Sequence, residues 1–153
     1  MTVSAARLPA STLEDVTSDD ITKAYVVRRV RDWETRIDDL YARVGSWLAT
    51  GHDCHALEHV SMREDLMKRT GVAARSLPVL TISTAGHVVG RIEPRGLWIV
   101  GANGHLDMLS PSGRHVLFDG AENFKTPEWR ISALSARQKP ENLTRPRLVA
   151  LFG

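Results

Sequence analysis

The sequence has almost no cysteine. Cys54 is the only one in 153 residues, so no disulfide bond can form within the chain. A single thiol in a chain of this length is typical of proteins from reducing compartments, and we therefore expect a cytoplasmic protein. A chain this long buries about 70% of its extended surface on folding, which provides a core without covalent cross-links.

Long hydrophobic runs are also missing. No segment approaches the run of about eighteen apolar residues that a membrane-spanning helix needs. Residues 1–16 lack the apolar stretch of a secretory signal and show little periodicity. We therefore expect neither a membrane span nor a signal peptide. Residues 1–16 are predicted to form a loose N-terminal arm, and residues 17–153 a single domain.

The sequence has no large excess of charge of either sign. Its 20 Lys and Arg residues nearly balance its 18 Asp and Glu residues, for a formal charge of +2. This is weak evidence for a polyanionic partner. Nucleic-acid binding remains an alternative, and it would use Arg28, Arg29, Arg31, Arg137, Lys139, Arg145 and Arg147. Acidic residues follow the first three closely, so a solvated helix face is the favoured explanation for them.

What the sequence does contain is a long helical pattern between Ser18 and Thr50. Its apolar residues recur at alternating intervals of four and three, which places them on one face of a helix. They are Val26, Val30, Trp33, Ile37, Leu40, Val44 and Trp47. We expect a hydroxyl at Thr17 or Ser18 to cap the start of this helix, and Gly51 to close its end.

The opposite side of this helix is rich in charge. It carries Arg28, Arg29, Arg31, Arg36, Asp38, Asp39 and Arg43. We expect these residues to face solvent, and to form ion pairs four residues apart. The predicted pairs are Arg28–Asp32, Asp32–Arg36 and Asp39–Arg43. Tryptophans at two core positions do not suit a two-stranded coiled coil, so packing on the chain's own sheet is favoured over self-pairing.

The remainder of the chain predicts a sheet. Ser61 to Glu64 has the pattern of a capping box and predicts a short helix from Met62 to Gly71. Apolar residues then alternate with period two, in segments separated by short Gly and Pro turns, which is typical of an antiparallel meander. The expected strands are 79–84, 87–93, 97–100, 105–110, 114–119 and 128–134, with a type I′ hairpin turn at Asn103-Gly104. Residues 148–152 are expected to dock on the core or on a partner.

The predicted fold class is therefore α+β. A long N-terminal helix and one short helix pack on an antiparallel β-meander of five or six strands. Residues 97–100 are apolar on both faces, which indicates a central strand. If no second layer covers the sheet, its bare face is an interface.

One short motif resembles a metal site. His55-Ala56-Leu57-Glu58-His59 has the order of an inverted zinc-peptidase motif, in which both histidines bind zinc from a helix. The motif precedes the predicted helix start, however, so solvated histidines are the favoured explanation. A metal-dependent hydrolase using His55, Glu58 and His59 is retained as a third alternative. Cys54 is more readily explained as a small buried side chain than as a nucleophile, and we predict no cofactor.

The favoured function is a small non-catalytic protein-binding or regulatory module. No catalytic constellation is evident, whereas the apolar surface exceeds what one helical layer covers. We expect the module to bind a protein partner or itself, as a homodimer, through the sheet face or the long helix. The candidate contact residues are Trp98, Val100, Trp129 and Phe152.

Overall fold

The computed structural model describes residues 22–99, 102–134 and 139–153. Its helices are α1 (Lys23–Trp47), α2 (Asp65–Arg69) and α3 (Arg145–Phe152). Its strands are β1 (Asp53–Met62), β2 (Arg75–Thr84), β3 (His87–Ile99), β4 (Ala102–Ser110), β5 (Gly113–Asp119), β6 (Trp129–Ala133) and β7 (Glu141–Asn142). They form one seven-stranded antiparallel sheet in chain order. The predicted α+β class and meander are confirmed, with more strands than expected.

Some predictions concern residues outside the described ranges. They are the arm over residues 1–16, the capping hydroxyl at Thr17 or Ser18, and the candidate site residues Val100 and Arg137. The side chain of Ile99 is likewise not described.

Helix α1 carries the predicted apolar stripe. Val26, Trp33, Ile37, Leu40 and Val44 are all fully buried, because the four–three spacing keeps them on one face. The helix is shorter than expected. The Thr22 hydroxyl accepts a hydrogen bond from the amide of Tyr25 at 3.1 Å, and the last helical residue is Trp47. Among the described residues, no helix is both long enough and apolar enough to cross a membrane.

The predicted capping box at Ser61 to Glu64 is wrong. Strand β1 continues to Met62, which pairs with Arg75 of β2. The Glu64 carboxylate accepts hydrogen bonds from the amides of Leu97 at 2.8 Å and Trp98 at 3.4 Å. Helix α2 begins at Asp65, and Glu64 precedes it as the N-cap residue without a side-chain capping hydrogen bond.

Two predicted turns also lie within strands. Residues 94–96 form a register shift inside the continuous strand β3, a β-bulge that tolerates Pro94. Asn103 pairs with Trp98 within the β3–β4 ladder, so Asn103-Gly104 does not form the predicted hairpin turn. Gly104 instead has a φ of +90° and lies against the ring of Trp33.

All three helices lie on one side of the sheet, which we call the inner face. Their buried side chains form a single core with inward residues of the strands. Ile92, Leu106, Met108, Leu117 and Ile131 are each at most 1% exposed. Helix α3 contributes Leu148, Leu151 and Phe152 to this core, which confirms that the C-terminal apolar segment docks on it.

Two arginines expected to face solvent are buried. Arg36 is 3% exposed and Arg29 is 6% exposed. The Arg36 guanidinium donates to Asp32 at 2.6 Å, as predicted, and also to the Asp119 carboxylate and the carbonyl of Lys125. Asp119 is fully buried, and it also accepts hydrogen bonds from two backbone amides of loop 120–128. These contacts hold that loop against α1 and remove Arg36 from solvent. Arg29 instead donates to the side chain of Asn103.

Buried His115 should make folding depend on pH. It is 6% exposed, and burial, together with the nearby Arg147 charge, lowers the pKa of its imidazole below the ordinary 6.5. Because the folded pKa is the lower one, the unfolded chain binds the proton more readily, and stability falls as the pH drops below about 6.5. We expect His115→Gln to lose less stability than the wild type between pH 7 and pH 5 in urea titrations. Exposed His87→Gln is the control, and identical losses in all three proteins would contradict the expectation.

Candidate interaction surface on the outer face of the sheet

The side of the sheet opposite the helices is not covered by any helix among the described residues. We call it the outer face and define it by the outward side chains of β2 to β6. Those residues include Thr81, Arg91, Glu93, Asp107, Leu109, Arg114, Val116, Phe118 and Arg130. They form rows across the strands, because paired residues in an antiparallel sheet point to the same side. Arg91, Leu109 and Arg114 form one row, and Glu93, Asp107 and Val116 form the next.

A network of ion pairs lies across the middle of the outer face. Arg91 bonds to Glu58 and, at 3.0 Å, to Glu93. Arg95 bonds to Glu93 at 2.8 Å and to Asp107 at 3.3 Å. The hydrogen bond from Arg91, reinforced by the one from Arg95, holds the pKa of Glu93 below its usual value. Glu93 is therefore ionised at neutral pH. Positive and negative side chains thus alternate across this surface.

A shallow hollow lies beside this network. It has a volume of about 210 Å³. It is lined by Arg91, Glu93, Asp107, Met108, Leu109, Arg114, His115 and Leu134. Leu109 is 48% exposed and Leu134 is 62% exposed. Within the described part of the chain, no ion pair involves Arg114. The hollow thus combines exposed apolar side chains with an unpaired cation, which is typical of a surface that contacts another molecule.

The three predicted contact residues that the structure describes do not lie on this surface. Trp129 and Phe152 belong to the core at 6% and 7% exposure. Trp98 is half-buried against the same core, and the Arg29 guanidinium lies 5.7 Å from its ring centroid. The predicted contacts are large apolar residues, and Trp98, Trp129 and Phe152 all pack in or against the core. The strand register identifies the outward positions instead. Leu109 and Val116 are each paired with a charged residue, which places them on the outer face.

Comparisons of the chain with protein-family models, curated proteins and solved structures gave no significant match. No relative therefore assigns a role to the outer face. Its geometry and chemistry are the basis for a functional proposal.

The described basic residues of the nucleic-acid alternative differ in their exposure and in their contacts. Arg29 is buried and donates to the amide oxygen of Asn103 at 3.2 Å. Arg28 is exposed and lies 3.8 Å above the ring of Phe124. Arg147 bonds to Glu141 at 3.0 Å. Arg31, Lys139 and Arg145 are exposed. A phosphate footprint needs a continuous stripe of one sign, and Arg29 is unavailable for it.

The residues of the metal alternative lie on strand β1 rather than on a helix. Four residues span about 13 Å in a strand but only about 6 Å along a helix, so His55 and His59 lack the spacing of the peptidase motif. Glu58 is engaged with Arg91. The residues described contain no group of three or more potential metal ligands. Burial, followed by the charge of Asp53, raises the pKa of the Cys54 thiol, which disfavours the thiolate form needed by a nucleophile.

Proposed function

We propose that this chain is a non-catalytic protein-binding module whose outer face is the binding surface. The observation that carries the proposal is the uncovered face itself, where Leu109, Val116 and Phe118 lie among ion pairs outside the main core. Protein interfaces combine apolar centres with polar rims in this way. The proposal requires no cofactor, and the single cysteine favours a cytoplasmic location.

The size of the outer face suits a protein partner. Five strands spaced about 4.8 Å apart, with about seven residues each at about 3.3 Å per residue, present about 550 Å² in projection. A stable interface buries about 800 Å² on each partner. The two areas are of the same order, so one partner of modest size can cover the face.

The charges of the outer face favour protein over nucleic acid. Glu58, Glu93 and Asp107 alternate with Arg91, Arg95, Arg114 and Arg130. A polyanion is repelled by the carboxylates, and Arg91 and Arg95 already have carboxylate partners. A protein surface can match both signs at once. The long helix is not a competing surface, because its apolar stripe is buried in the core.

The proposal predicts that one substitution on the outer face abolishes partner binding. Leu109→Arg places a charge at the apolar centre, and we expect at least about a tenfold loss of binding, because burying an unpaired charge is costly. Each variant of the chain is immobilised and incubated in two separate assays. One assay uses an untagged copy of the chain, and the other uses an extract of cells that contain the protein. The amount of protein retained is quantified in both. Val149→Arg is the matched control, since Val149 is 41% exposed on α3.

Retention by the wild type and by Val149→Arg, with loss in Leu109→Arg, supports the outer face as the binding surface. Equal retention by all three proteins contradicts it. So does a wild-type chain that retains neither its own copy nor any other protein.

A further inference from the structure

We propose that the partner on the outer face is a second copy of this chain, in a twofold dimer with the two outer faces stacked. This inference rests on the proposed function, because it names the occupant of the same surface. Two features carry it, namely a self-complementary block of four side chains and the near-neutral charge of the face.

The block lies on β4 and β5. Asp107 pairs with Val116, and Leu109 pairs with Arg114, in adjacent rows of the β4–β5 ladder. All four side chains point outward. The block therefore has one apolar diagonal, from Leu109 to Val116, and one charged diagonal, from Asp107 to Arg114.

A twofold axis parallel to the sheet along the apolar diagonal matches the block to itself. Such an axis places Leu109 on the partner's Leu109 and Val116 on the partner's Val116. It also exchanges the two ends of the charged diagonal, so that Arg114 meets the partner's Asp107, and this contact occurs twice. A twofold interface requires this kind of self-complementarity, in which the same patch serves both copies.

The stacking geometry is one that sheets adopt. A strand spacing of about 4.8 Å and a two-residue rise of about 6.6 Å put the diagonal about 36° from the strands. A twofold axis in that direction makes the strands of the two copies cross at about 70°, close to the orthogonal class of sheet packing.

Both charged members of the block have capacity for a new partner. Asp107 is 57% exposed, and its bond to Arg95, itself 51% exposed, is 3.3 Å long. Arg114 is exposed, and the described residues offer it no carboxylate within ion-pair distance. The remaining charges of the outer face are of both signs and nearly cancel, so two copies approach without net repulsion.

Charge exchange tests this arrangement. Arg114→Asp and Asp107→Arg each create two like-charge contacts across the axis, and we expect the dimer dissociation constant to rise about a hundredfold in either variant. An equal mixture of the two variants restores opposite charges at both contacts, so the mixture should dimerise although neither variant does alone. Sedimentation equilibrium over a concentration series measures this, and Arg31→Asp on the exposed side of α1 is the control that retains the wild-type constant.

Rescue in the mixture, with loss in each variant alone, supports the dimer. Loss without rescue overturns the pairing, and a dimer that survives both substitutions overturns the interface. A wild-type chain that stays monomeric overturns the dimer but not the proposed function. That function is decided separately by whether Leu109→Arg abolishes retention of a different protein from the extract.

Discussion

Replacing Asp119 with alanine should lower the free energy of unfolding by about 3–5 kcal/mol. Asp119 is fully buried and Arg36 is 3% exposed, so the substitution leaves a buried guanidinium with one carboxylate fewer. It also removes the acceptor of the amides of Ala121 and Glu128, at 3.0 and 2.7 Å. Unsatisfied buried donors and an undercompensated buried charge each destabilise the folded state.

Urea titration monitored by tryptophan fluorescence measures this loss. The matched control is Asp39→Ala, which removes a carboxylate that bonds to Arg43 at 2.9 Å on the same helix. That pair is 45% and 38% exposed, so its removal should cost at most about 1 kcal/mol. Equal losses in the two variants would show that the Arg36–Asp119 pair contributes no more than a surface ion pair.

Arg36 also shows the limit of reading a helix from its own sequence. The apolar stripe of α1 was predictable, because its period depends only on neighbours along the chain. The same period correctly paired Arg36 with Asp32. It gave no sign of Asp119, which is 83 residues away in the sequence and contacts Arg36 from the end of strand β5. Local charge patterns therefore predicted a solvated surface where long-range packing forms a buried contact.

The strands show a second limit of prediction from sequence, which is that a shift in strand pairing cannot be located. The period-two segments predicted the meander and its antiparallel order, since short turns leave few alternatives. The bulge between Pro94 and Gly96 shifts the β3–β4 register, and a one-residue shift reverses which side chains face inward. The sequence of residues 97–100 is apolar throughout and gives no sign of this shift. The outer face was not located from the sequence for a different reason, because its apolar residues Leu109 and Val116 are each paired with a charged residue.

The second large effect is expected at Gly104. Its φ of +90° is disfavoured for a residue with a side chain, and an added Cβ would lie 2.5–2.8 Å from three carbons of the Trp33 ring. Trp33 cannot retreat, because it is fully buried and packs against Trp129 at a centroid distance of 6.5 Å. Backbone strain of about 1–2 kcal/mol and overpacking of about 1–3 kcal/mol should together make Gly104→Ala lose about 2–5 kcal/mol.

Gly86→Ala separates the two causes of this loss. Gly86 has a similar φ of +80°, but nothing lies within 4 Å of the position of an added Cβ. It should therefore show the strain alone, about 1–2 kcal/mol in urea titration. Adding Trp33→Leu to each glycine variant completes the comparison, because a smaller side chain relieves the clash at residue 104 and cannot relieve the strain at residue 86. If Gly104→Ala loses no more stability than Gly86→Ala, the close packing of β4 on α1 does not hold.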